Sequence, residues 1–248
     1  MYHFFTDEKN ILNDRILITG SDVNHIKNVL RMKPGEKIVV SDAKGASYCC
    51  EIEELCTDHV TAAILEGQIG STELPVRLVL FQGLPKSDKM ELIIQKSVEL
   101  GAYRIVPVEM NRSVVRLDDK KKTSKTARWN AISESAAKQS GRSIIPEVSV
   151  PLSFTQAVGE AQDCDILLVP YELSDDAAAL RDRLGEMRRG MTVGIFIGPE
   201  GGYEPEEISS LIKAGGCPVS LGKRILRTET AGIAALSICM FGAEVIPE

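Results

Sequence analysis

The chain has 248 residues, a formal net charge of −6, 44% hydrophobic residues and 26% charged residues. At ~100–200 residues per domain this is one large domain or two modest ones, which excludes general disorder and removes the need for a disulfide or metal staple. No apolar run reaches the ~18 residues of a membrane span, and the N-terminus turns acidic at Asp7 and Glu8, unlike a signal peptide.

In chain order, Ile16–Thr19 predicts a short strand that ends at Gly20. Ser21–Leu30 predicts a short helix capped by Ser21 or Asp22. Lys33–Glu36 is a turn into the strand Lys37–Ser41, and Asp42–Gly45 is a second turn. Ser47–Glu53 and Val60–Leu65 alternate in polarity as strands do. Short strands with close turns predict a small barrel. Gly67–Glu73 has linker composition, which puts a boundary between residues 1–72 and 73–248.

Beyond the linker, strand and helix alternate. Val76–Gln82 is a nearly continuous apolar run, as in a strand buried on both faces. Asp88 and Glu91 have the spacing of a capping box for a helix that ends at Gly101. Then come the strand Arg104–Glu109, the helix Thr123–Gln139, the strand Asp165–Val169 and the helix Ala177–Met187. The strand Thr192–Ile197, the helix Pro205–Ala214 and the strand Pro218–Leu221 follow. The helix Glu229–Gly242 closes the series, with Thr228 as its cap and Ile233, Leu236 and Met240 on one stripe. Repeated β–α units predict a parallel sheet covered by helices, with ligands at the carboxyl ends of its strands.

Charge is uneven. Residues 1–76 carry −5, residues 77–142 carry +7 and residues 143–248 carry −8. A local basic patch of this kind can engage phosphates in an acidic protein, or simply form a solvated helix face. The six cysteines, Cys49, Cys50, Cys56, Cys164, Cys217 and Cys239, form no C-x-x-C pair. That pattern fits reduced thiols in a cytoplasmic protein. No phosphate-loop, dinucleotide-binding, zinc-protease or serine-hydrolase motif is present. The three histidines, His3, His25 and His59, all precede the α/β part.

Two loops stand out. Ile197-Gly198-Pro199-Glu200-Gly201-Gly202 follows an apolar strand, and its glycines let backbone amides approach a ligand closely. Ser220-Leu221-Gly222-Lys223-Arg224-Ile225-Leu226-Arg227-Thr228-Glu229-Thr230-Ala231 places three cations and an acid at the start of the last helix. This second loop reads either as dipole complementarity or as a site facing a reacting group. The strand end Val169–Glu172 is a weaker candidate.

These two loops together resemble those of the SPOUT-superfamily methyltransferases. The chain is most similar to the family that methylates N3 of a uridine in bacterial 16S ribosomal RNA. His25–Arg31, Gln95–Gly101, Arg112-Ser113 and Trp129–Arg142 add to the resemblance. It implies an N-terminal PUA-like β-barrel and a C-terminal parallel-sheet α/β domain with a deep trefoil knot, assembled as a homodimer. It implies S-adenosyl-L-methionine as cofactor, held by Pro170, Leu173, Ile197, Gly198, Pro199, Glu200, Gly201, Gly202, Ser220, Leu221, Gly222, Ile225, Leu226, Thr230 and Ala231. No metal or membrane is implied.

In the implied chemistry Arg227 holds the anionic base or a phosphate. Glu229 or Glu200 accepts the proton or orients Arg227. Arg31, Arg112, Arg116 and Arg142 contact RNA of the small ribosomal subunit. Two other readings stay open: a related enzyme acting on a ribose 2′-OH or another base, and a non-catalytic RNA-binding factor of the same fold.

Overall fold

The computed structural model describes residues 1–42, 44–86, 88–174 and 177–246. The chain divides into two compact units, Met1–Glu73 with Ala137–Ile145, and Leu74–Ala136 with Pro146–Glu248. Among the described residues no helix is long and apolar enough to cross a membrane.

The first unit is built on five strands, β1 (Tyr2–Phe5), β2 (Arg15–Thr19), β3 (Lys37–Ser41), β4 (Ser47–Leu55) and β5 (His59–Ile69). Their order is β1-β3-β4-β5-β2, with β1 parallel to β3 and the other pairs antiparallel. The Thr6 hydroxyl donates to the Leu17 carbonyl of β2 at 2.8 Å, so the two end strands are linked and the sheet wraps round its core. Alternate residues such as Ile16, Ile18, Ile38, Val40 and Val60 supply that core, as a two-residue period requires.

The helix α1 (Ser21–Asn24) begins at Gly20, not at Ser21 or Asp22, because Gly20 has φ +74° and makes the sharp entry. It widens into a π turn over His25–Val29, and Arg31 then leaves in the left-handed region at φ 54°. The expected turn at 42–45 contains residue 43, which lies outside the described residues. The expected linker is structured. Residues 67–69 continue β5, the Thr72 hydroxyl donates to the Gly141 carbonyl at 2.9 Å, and Glu73 Oε1 accepts the Ser143 amide at 2.9 Å.

The second unit is a parallel sheet of β6 (Arg77–Gly83), β7 (Ala102–Glu109), β8 (Glu147–Val148), β10 (Ile166–Pro170), β11 (Thr192–Ile197) and β12 (Gly216–Val219). The strand order is β12-β10-β11-β6-β7-β8, and the short β9 (Leu152–Ser153) also pairs with β7. Its helices are α2 (Lys89–Glu99), α4 (Phe154–Ala161), α5 (Ala177–Gly185), α6 (Pro205–Lys213) and α7 (Thr228–Glu244). The long α3 (Asp119–Ser140) follows β7.

One face of the sheet presents Phe81, Val106 and Phe196 to α4 and α6, with the Phe81 and Phe196 rings stacked at 5.4 Å. α7 lies on the other face, where α2 and α5 pack against it. The buried stripe of α7 is Gly232, Ala235, Leu236, Cys239 and Ala243, with Ile233 and Met240 only half-buried. Small residues bring the helix close to the sheet: a Cβ at Gly232 would stand 3.1 Å from Gln82 Oε1.

Two other expectations are corrected here. Asp88 occupies the cap position of α2 but makes no side-chain cap, and the Glu91 carboxylate pairs with Arg128 at 2.7 Å instead of closing a capping box. Arg227, rather than Thr228, occupies the cap position of α7, with extended backbone at φ −65°, ψ 153°.

In the first unit burial and the charge of Lys138 push the His3 imidazole down to about 4. The neutral ring bonds the Ser41 hydroxyl at 2.7 Å. An unfolded histidine titrates near 6.5. Between these values the unfolded chain binds a proton that the folded one refuses, so stability falls as pH falls through this window. His3→Gln should flatten the loss of urea stability between about pH 6.5 and 4. An unchanged slope would show that His3 plays no part in it.

Candidate active site

The carboxyl ends of β10, β11 and β12 open into one cleft of about 410 Å³. β11 lies between β10 and β6, where the chain order of the strands reverses, which is where open parallel sheets bind ligands. The cleft is lined by Pro170, Ile197, Gly198, Pro199, Glu200, Gly202, Ser220, Leu221, Gly222, Ile225, Leu226 and Ala231, with Arg227 at its edge. Leu173, Gly201 and Thr230 do not line it. Leu173 is 74% exposed. Gly201 faces away, and a Cβ there would meet Arg112 Cβ at 2.8 Å.

The loop after β11 is fixed from below. A Cβ on Gly83 would lie 2.6 Å from the Pro199 nitrogen, so only glycine at the end of β6 lets the loop come this close. Gly202, at φ +70°, closes the turn with its amide on the Pro199 carbonyl at 2.9 Å. The Tyr203 ring is buried under Gly198, and its hydroxyl donates to the Phe196 carbonyl at 2.5 Å. Burial pushes that phenol well above its usual range.

A buried relay ties three segments together. Gln82 Nε2 donates to the Thr228 hydroxyl at 2.8 Å, and that hydroxyl donates to the Gly198 carbonyl at 2.6 Å. Gln82 Oε1 has no hydrogen-bond partner.

The charged groups take distinct positions. Glu200 Oε1 accepts the Lys86 amide at 3.0 Å and lies 3.2 Å from the Lys89 ammonium. Burial alone would raise this carboxyl, but the amides of Lys86 and Glu200 and the Lys89 charge outweigh it and hold the group below its ordinary range. Glu229 Oε2 is buried, and among the described residues its close polar partner is the Lys89 ammonium 3.2 Å away. Lys223, Arg224 and Arg227 are exposed, and no ion pair is formed by any of them among the described residues.

The four arginines expected at RNA differ in setting. Arg31 and Arg116 are exposed. Arg112 is engaged by Glu204 at 2.9 and 3.2 Å and by the Gly201 carbonyl at 3.0 Å, so it braces the glycine loop. Arg142 is 5% exposed and ion-paired with Glu73, a setting unlike that of the exposed Arg31 and Arg116.

Lys89, Gln82, Tyr203 and Arg224 were not singled out from the sequence as site residues. The signal for Gln82 and Lys89 is position, since both flank the carboxyl end of a buried strand. Among the described residues no group of three or more His, Cys, Asp or Glu is placed to hold a metal ion.

Thr228→Val keeps the shape but leaves one N–H of the Gln82 amide, whose nitrogen also donates to the Gly83 carbonyl, and the Gly198 carbonyl without their Thr228 partner, which costs about 2 kcal/mol. Urea denaturation should show that loss, with Thr228→Ser near wild type. Equal stability of the valine variant would remove the relay from the account.

Comparison with known proteins places this geometry. A family model described as an RNA methyltransferase domain matches residues 72–240, and one described as an RNA methyltransferase PUA domain matches residues 18–65. The ribosomal RNA small subunit methyltransferase E of Bacillus subtilis is 40% identical over 232 residues, covering 92% of this chain and 91% of its own. The crystal structure of the Neisseria gonorrhoeae protein of that name, bound to S-adenosyl methionine, aligns with a TM-score of 0.81 and 32% identity, over 96% of this chain and 95% of its own. A Legionella pneumophila methyltransferase in complex with the same cofactor aligns with a TM-score of 0.84 and 31% identity, over 96% of each chain. The chain belongs to the ribosomal RNA small subunit methyltransferase E family of RNA methyltransferases.

Proposed function

We propose that this protein transfers a methyl group from S-adenosylmethionine to N3 of a uridine in 16S ribosomal RNA of the small subunit. It acts in the cytoplasm as a homodimer whose cofactor loops belong to a deep trefoil knot. The observation that carries the reading is the cleft at the ends of β10, β11 and β12. It joins apolar walls (Ile197, Leu221, Ile225, Leu226) to the glycine loop, beside carboxylates and unpaired cations. Apolar walls suit the faces of an adenine, and loop peptide groups suit its polar edge. The relatives crystallised with this cofactor support the assignment.

When bound, the cofactor supplies an electrophilic methyl group on a sulfonium. Everything else falls to the chain. Uracil N3 is a poor nucleophile until its proton leaves, so the site needs a base and a cation. We assign Glu229 as the base, because its Oε2 meets only the Lys89 ammonium at 3.2 Å among the described residues, whereas Glu200 Oε1 is also committed to the Lys86 amide. Arg227, unpaired at the start of α7, stabilises the developing uracil anion or holds a neighbouring phosphate. Alignment of N3 behind the methyl group is a large part of the rate. That alignment requires the loops to stay fixed, which the Thr228 relay and the Arg112 brace provide. Arg31 and Arg116 are available to phosphates, and the PUA domain adds shape recognition.

The test is methylation of small subunits or rRNA lacking the modification with labelled cofactor, followed by nucleoside mass spectrometry. The expected product is 3-methyluridine. Glu229→Gln should lower kcat by about 100-fold or more, and Arg227→Ala should abolish turnover with unchanged circular dichroism. A different methylated nucleoside would overturn the N3 assignment, and a fully active Glu229→Gln would remove the proposed base.

A further inference from the structure

Lys89 is the first residue of α2, and its ammonium meets two carboxylates from two other segments. Glu200 Oε1, on the loop after β11, lies at 3.2 Å, and Glu229 Oε2, in the first turn of α7, also lies at 3.2 Å. We infer that Lys89 is a positioning residue for methyl transfer: its ammonium clamps Glu200 and Glu229 together, holding the glycine loop against the start of α7. This rests on the reading of the cleft given above.

Two carboxylates that converge on one site repel each other, and an ammonium between them offsets that repulsion. Glu200 has a second anchor in the Lys86 amide. Glu229 has none: among the described residues Lys89 is the only cation within ion-pair distance of it. The charged groups around the same cleft are Lys89 from α2, Glu172 from the end of β10, Glu200 from the loop after β11, and Arg224 and Arg227 from the segment before α7. Of these, Lys89 alone touches both carboxylates. The two carboxylates in turn raise the Lys89 ammonium above its usual range, with the Glu200 contact the largest cause, so the clamp stays charged at neutral pH. A compact ammonium on a flexible stem suits a contact shared between two partners. It also lets the cation remain with Glu200 while Glu229 takes up a proton.

The experiment compares wild type with Lys89→Met, Lys89→Gln and Lys89→Arg. In the protein without cofactor, the backbone amide signals of Glu200 and Glu229 are compared by NMR. With cofactor and RNA, kcat and KM are measured. Loss of the ammonium releases both carboxylates, so both amide signals should shift. kcat should fall about tenfold or more, with KM for RNA within about twofold. Lys89→Arg should restore most of both effects. Unmoved amide signals in both neutral variants would overturn the inference. So would a drop in kcat that arginine does not rescue. The amide signals judge the clamp even if wild type transfers no methyl group, and that failure would instead overturn the reading of the cleft.

Discussion

The geometry of the cleft depends on one buried hydroxyl. Thr228 stands at the first position of α7, accepts from Gln82 at the end of β6 and donates to Gly198 at the end of β11. Leaving a buried donor or acceptor unpaired is costly, so this hydroxyl fixes the spacing of all three segments. The consequences run outwards. Gly83 and Gly232 have to lack side chains because the relay draws the loop and the helix against β6. With Gly198 fixed, the turn through Gly202 follows, and Glu200 is delivered to the start of α2. With α7 fixed, Glu229 is delivered to the same place from the opposite side.

The two carboxylates differ in setting despite equal distances to Lys89. Glu200 takes a backbone amide and a cation, the ordinary arrangement by which an acid is held ionised and still. Among the described residues Glu229 Oε2 meets the same cation and no backbone amide. A holding acid wants its acceptors filled; a proton-accepting acid wants one left open. On the proposed reading this difference gives holding to Glu200 and proton uptake to Glu229.

Much of this was legible from residue patterns. The strands Lys37–Ser41 and Thr192–Ile197 coincide with the structure, because each is a short apolar run with turn residues on both sides. The glycine loop and the basic loop were visible for the same reason, since each breaks sharply from the strand before it. What was not legible depended on partners distant in sequence. Residues 67–69 have the composition of a linker, yet β4 pairs with them and extends the strand. The Asp88 and Glu91 spacing suits a capping box, yet Arg128, 37 positions from Glu91, takes the carboxylate instead. β8 and β9 were missed because two-residue strands carry no period to detect. Lys89 was passed over because a lysine at a helix start opposes the helix dipole and reads as solvent-facing until its two acids are in view.

The same partner problem governs the charge. The +7 of residues 77–142 suggests a basic surface, but many of its cations are already neutralised. Lys122 pairs with Glu109, Arg128 with Glu91, Arg112 with Glu204, Lys138 with Asp22 and Arg142 with Glu73. Residues 223–227 carry only three cations, in a segment of net −8, yet none of the three is paired among the described residues. An exposed cation without a partner contributes its full field to an approaching polyanion, whereas a paired one contributes little. On the proposed reading, the three cations before α7, two of which line the cleft, offer a phosphate backbone a field that ion pairs do not offset. Much of the charge that the composition of residues 77–142 advertises is offset in this way.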